Sequence, residues 1–113
     1  MFNGMAAQYD HALLTARVGE RVRIWVINAG PPGGATAFHV VGGQFDTVYR
    51  EGAWVLRPDD RGGGAQVLDL APAQGGFVEL SFPPEPGRYP FVDHDMVHAE
   101  NGAHGVFEVG EPR

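Results

Sequence analysis

The 113-residue sequence contains no cysteine. That excludes disulfides, thiolate nucleophiles, iron–sulfur clusters and cysteine-ligated zinc in one step. A blue copper centre needs a cysteine thiolate and is excluded with them. Any metal must therefore be held by histidine or carboxylate. No cluster of lysine and arginine occurs either, and the formal net charge is -6. Phosphate backbones and anionic membrane surfaces both call for a basic patch, so no nucleic acid and no membrane is an expected partner. No apolar run approaches the length of a transmembrane helix. The opening Met1-Phe2-Asn3-Gly4 lacks the basic and hydrophobic regions of an export signal.

Glycine and proline are plentiful instead, at 17 and 9 residues. They punctuate the whole chain without forming a repeat, which predicts many short elements joined by turns. Apolar residues make up 43%, enough for a core. Alternating patterns predict strands over residues 13–18, 20–28, 36–41, 45–49, 66–70, 76–82, 88–94 and 103–109. In the clearest of them Val22, Ile24 and Val26 share one face while Trp25 and Ile27 share the other, which predicts cover on both sides. Residues 29–35 and 50–65 read as connections, 83–87 as a rigid proline turn, and 95–101 as room for one helical turn. Seven or eight short strands without a competing helical period predict an all-β sandwich or barrel. Nothing divides the chain, so residues 1–113 read as a single domain. Trp25, Phe77, Phe82, Tyr89 and Phe91 fall at strand spacing, so core packing accounts for them and no exposed aromatic platform is expected.

Chemistry rests on five histidines: His11, His39, His94, His98 and His104. Imidazole suits copper, zinc and iron, and Cu(II) stands at the top of the divalent affinity order. His39 lies between Phe38 and Val40; it reads either as a satisfied core or interface histidine or as a functional one. His94 lies between Asp93 and Asp95, either a surface histidine beside acids or a metal ligand whose ring a carboxylate orients. His98 follows four residues later, but Asp95 stands where a zinc-protease pattern requires glutamate. His11 reads as exposed and His104 as a strand-start residue. Neither glycine run, Gly33-Gly34 or Gly62-Gly63-Gly64, precedes the Lys-Ser/Thr of a phosphate loop, and Ser81 lacks the context of a nucleophile elbow. Asp59-Asp60 reads as a solvated charge pair.

Three strings carry a resemblance: Phe38-His39-Val40-Val41-Gly42-Gly43, then Phe45-Asp46-Thr47-Val48-Tyr49, then Pro86-Gly87-Arg88-Tyr89-Pro90-Phe91-Val92-Asp93-His94. Together they resemble the C-terminal cupredoxin domain of copper nitrite reductases and related multicopper oxidases, and the likeness extends over nearly the whole chain. It implies a Greek-key β-sandwich of the cupredoxin type. It further implies a type 2 copper shared between domains or subunits, with nitrite, or another small inorganic substrate, reduced in the parent enzyme. On that resemblance His39 takes the proton-transfer role and His94 ligates copper. His98 falls where a type 1 histidine would be and is the second metal candidate.

The departures are equally definite. The residue just before His94 is Asp93, where multicopper oxidases place the type 1 cysteine, and Val41 stands where a type 3 pair would need histidine. The resemblance also implies a homotrimer, or a companion cupredoxin domain, to complete the copper site. It implies an extracytoplasmic or periplasmic parent. The chain then reads as an oxidoreductase module not competent alone. The other reading is a non-catalytic sandwich serving structure or assembly, with vestigial histidines.

Overall fold

The computed structural model describes residues 1–30, 34–60 and 63–111. Gly33 and Gly62 of the glycine runs lie outside those residues. Nine strands and two short helices are present among the described residues: α1 (Gln8–His11), β1 (Ala12–Arg17), β2 (Arg21–Ile27), β3 (Thr36–Val40), β4 (Thr47–Arg50), β5 (Ala53–Leu56), β6 (Leu68–Leu70), β7 (Gly75–Ser81), β8 (Gly87–Asp93), α2 (Met96–Glu100) and β9 (His104–Gly110). They form a five-stranded sheet in the order β1-β9-β8-β3-β6 and a four-stranded sheet in the order β2-β7-β4-β5. β1 runs parallel to β9, so the two ends of the chain close one sheet. Among the described residues no helix is long and apolar enough to cross a membrane.

The core lies where the inner faces of the sheets meet. Val40, Phe45, Leu68, Leu70, Val78 and Leu80 are fully buried there. Period-two alternation produces this directly, because it sends every second side chain of a strand inward. In β8, Phe91 and Asp93 point inward while Val92 and then His94 point outward. In β9 the inner residues are Gly105, Phe107 and Val109, which puts His104 on the outer face.

One strand exceeds the expected seven or eight. The connection predicted over 50–65 contains β5, a four-residue edge strand paired with β4. The link between them is only Glu51-Gly52, both at positive φ, the two-residue turn whose twist matches a hairpin. A second correction concerns the outer face of the four-stranded sheet. Trp25 is 67% exposed and Ile27 70%, so β2 is not covered on both sides. Trp25, Phe77, Tyr49 and Trp54 follow one another across the strands in register, with adjacent ring centroids 4.8, 5.2 and 5.2 Å apart. Trp25 therefore stacks outside the core. The predicted burial of Phe77, Phe82 and Phe91 holds, though Phe77 is buried beneath its aromatic neighbours and not between the sheets.

A charged network flanks that row. Arg21 donates two hydrogen bonds to Asp46 at 2.7 and 2.9 Å and another to Glu79, which also accepts from Arg23. The Arg21 bonds hold the Asp46 carboxyl below its ordinary value. For Glu79 burial works in the opposite direction, yet the two guanidiniums win and its value is lowered as well.

A candidate copper half-site on the outer face of the five-stranded sheet

β3 and β8 pair antiparallel with His39 opposite Val92 and Phe38 opposite Asp93. Because alternation places His39 and His94 on the same side, the two rings meet there. Their centroids are 5.7 Å apart at an interplanar angle of 74°. The His94 backbone N–H donates to the Ala37 carbonyl at 2.7 Å, extending the ladder by one bond beyond the end of β8. His39 is half-buried, and its Nδ1 lies 2.6 Å from the Gln66 carbonyl oxygen. A carbonyl can only accept, so Nδ1 carries the proton. In the neutral ring that leaves the Nε2 lone pair free to take a proton or a metal. His94 is exposed, and no hydrogen bond to its ring occurs among the described residues.

His98 is held elsewhere. It sits on α2 with Nδ1 2.8 Å from Asp93 Oδ2 and 3.8 Å from Asp95 Oδ2, on the inner side of the strand end. The ring contact of the site is His39 with His94, and His98 is not part of it. His104 lies in the same cross-strand row as His39 and Val92. Its Nδ1 is 2.9 Å from Asp10 Oδ2 at the N-terminal end of the chain. Spacing gave His104 no partner, because α1 reaches β9 only through the parallel closure of the sheet. His11 is exposed on α1.

Among the described residues Asp93 is the one buried carboxylate, at 4% exposure. Burial acts to raise its carboxyl, but hydrogen bonds from the Thr36 hydroxyl, the Ala37 and Asp95 N–H groups and His98 outweigh it. The net value lies below the ordinary carboxylate range. A depressed folded value adds stability fully present above the unfolded carboxyl value of about 3.9 and lost as pH falls through the folded one. Thermal unfolding followed from about pH 6 to about pH 2 should therefore show a steep loss of midpoint at the acid end, to which Asp46 and Glu79 add. An Asp93→Asn variant should start lower and decline less steeply. A decline of unchanged slope would remove Asp93 from the account.

Two recesses adjoin these residues. A polar depression of about 570 Å³ is lined by His39, Gly42, Gly43, Gln44, Gln66, Ser81 and Pro83. A larger cleft of about 680 Å³ opens along the β2 edge, with Phe38, Phe91, Phe107, Asp93 and His98 in its wall. His39 borders the smaller, polar one, and His94 lines neither. Among the described residues no three His, Asp or Glu side chains converge to hold a metal ion. The donors fit copper in kind, since imidazole nitrogen suits it, and fall short in number. An outward-facing imidazole with a second ring beside it fits part of a shared site.

No family model matches the chain. The copper-containing nitrite reductase of Neisseria meningitidis is 38% identical over 113 residues, covering 96% of this chain and 27% of that protein. The corresponding protein of Rhizobium sullae is 33% identical over 111 residues, covering 96% and 28%. The solved copper-containing nitrite reductase of Thermus scotoductus superposes with a TM-score of 0.81 at 32% identity, over 95% of this chain and 24% of that one. The chain is a cupredoxin domain homologous to part of the copper nitrite reductases. A solved multicopper oxidase matches equally well, with a TM-score of 0.81 at 31% identity, over 95% of this cupredoxin domain and 35% of the oxidase. The domain spans about a quarter of the length of the curated relatives it matches.

Proposed function

We propose that this cupredoxin domain supplies half of a type 2 copper site, completed by a neighbouring subunit or companion domain, in a parent oxidoreductase that reduces a small inorganic substrate such as nitrite. The single observation that carries the reading is the His39–His94 contact on an outward face, with a polar depression beside His39. Copper, when bound, supplies a one-electron redox centre and a Lewis acid for a substrate oxygen. His94 offers a neutral imidazole as ligand. His39, pinned by the Gln66 carbonyl, holds its Nε2 at a fixed position, takes up a proton there from water to become imidazolium, and hands that proton to the substrate as general acid, returning to the neutral ring. Reduction of nitrite to nitric oxide and water consumes protons as well as an electron, so such a donor is required. His98 keeps only Nε2 for a metal, because Nδ1 is hydrogen-bonded to Asp93, and any copper there would be a separate position from the His94 site.

With no cysteine for a blue centre, the electron comes from outside this chain. The missing ligands favour assembly around the outer face, and a homotrimer is the arrangement proposed, in a parent working outside the cytoplasm. The exposed Trp25 and Trp54 on the outer face of the four-stranded sheet favour a second reading, a sandwich that serves assembly without catalysis. Cu(II) titration followed by electron spin resonance separates the two. A stoichiometric type 2 spectrum supports the copper reading; the absence of stoichiometric binding at any protein concentration supports the assembly role.

A further inference from the structure

The β3–β8 ladder runs out where the site begins. Phe38 opposite Asp93 is its last register pair, and beyond it a single backbone bond from His94 to Ala37 remains before the chain turns into α2. On the β9 side the last bond is one residue earlier, from the Asp93 N–H to the Ala103 carbonyl at 3.0 Å. Past Asp93 the His94 bond alone therefore holds the backbone to the sheet, and strand ends so lightly tied fray unless side chains hold them. The inward neighbour of His94 is placed to do so. Asp93 Oδ2 accepts from the Thr36 hydroxyl at 2.5 Å and from His98 Nδ1 at 2.8 Å. Its Oδ1 accepts from the Ala37 N–H at 3.0 Å and the Asp95 N–H at 3.1 Å. Four donors thus fill all the acceptor sites of one carboxylate. They come from the start of β3, from the strand-to-helix link and from α2.

We infer that Asp93 is the positioning residue of the histidine pair: its carboxylate ties β3, the link and α2 to one point and thereby fixes His94 against His39. The inference rests on the copper reading for its purpose but not for its geometry. Asparagine would keep one acceptor oxygen and turn an amide of two donors toward groups that are themselves donors. His98 acts through the same node, since its Nδ1 bond anchors α2 to the strand end.

The test uses the metal-free chain and its Cu(II) complex. Nuclear Overhauser contact between the His39 and His94 ring protons is measured well below each variant's unfolding midpoint, for wild type, Asp93→Asn, Thr36→Val and Val109→Ala. Val109 is buried in the register pair at the far end of the β8–β9 ladder, so its variant is destabilised without touching the site. Asp93→Asn is expected to lose the ring contact and to bind Cu(II) roughly 10–100-fold more weakly, the range seen when a group that orients a ligand is removed. Thr36→Val, which removes one of the four bonds, should fall between it and wild type, and Val109→Ala should match wild type. Asp93→Asn keeping the ring contact, with affinity within about threefold of wild type, would overturn the assignment. So would Val109→Ala losing as much. If Asp93→Asn fails to fold, Thr36→Val decides by the same readouts. If wild type binds no copper, the copper reading falls, while the ring contact still decides the role of Asp93.

Discussion

Gly76→Ala will be among the most damaging single-methyl changes in this domain. Gly76 lies on β7, flanked by Val26 of β2 and Arg50 of β4. A Cβ there would overlap the Tyr49 carbonyl oxygen and stand 3.1 Å from Arg50 Cα. Both obstacles are backbone, so neither can swing aside as a side chain would. The strands must move apart, and β7 is the strand through which β2 and β4 are joined. Overpacking alone typically costs about 1–3 kcal/mol, and the loss of ladder bonds adds to it, so a loss of at least about 3 kcal/mol is expected. In a thermal melt that is a fall of more than about 10 °C. The adjacent Gly75→Ala is the control. Its Cβ would meet the Val26 carbonyl oxygen at 3.4 Å, an ordinary contact, and the change should stay within about 1 kcal/mol. Equal losses at the two positions would mean that backbone proximity is not what selects glycine at 76.

That contrast also marks what the sequence can and cannot convey. Alternation reports which residues share a face, and it assigned His39 and His94 to strands whose pairing brings the rings together. It does not report what lies over a face. Trp25 and Ile27 looked buried because they are apolar, yet they stand on an uncovered outer surface. β5 had a readable signature in Ala53-Trp54-Val55-Leu56, bounded by Glu51-Gly52 and Pro58, and was masked only by the glycine-rich stretch after it. The two carboxylate–imidazole pairs differ in a similar way. Asp93 and His98 are neighbours in sequence, but their bond depends on α2 folding back under the strand end. Asp10 and His104 meet only because the first and last strands pair in parallel. Spacing along the chain carries no trace of that.

Copper affinity should also divide the two histidines of the site, and the way it divides them tests the roles assigned to them. His94 has both ring nitrogens clear of hydrogen bonds among the described residues, while His39 is committed at Nδ1 to Gln66. If His94 is the ligand, His94→Ala should weaken Cu(II) binding by at least about 100-fold, beyond the range for removing an orienting neighbour. His39→Ala should weaken it by less than about 10-fold, because it removes a proton carrier and not a metal–nitrogen bond. Adding His39→Ala to His94→Ala should then change little, since a neighbour has nothing to support once the ligand is gone. Equal losses from the single variants would make both residues ligands, leaving proton delivery to another group. The candidate on the same face is then His104, held by Asp10 in the same cross-strand row as His39. Either outcome is decided by the isolated chain, before any partner is supplied.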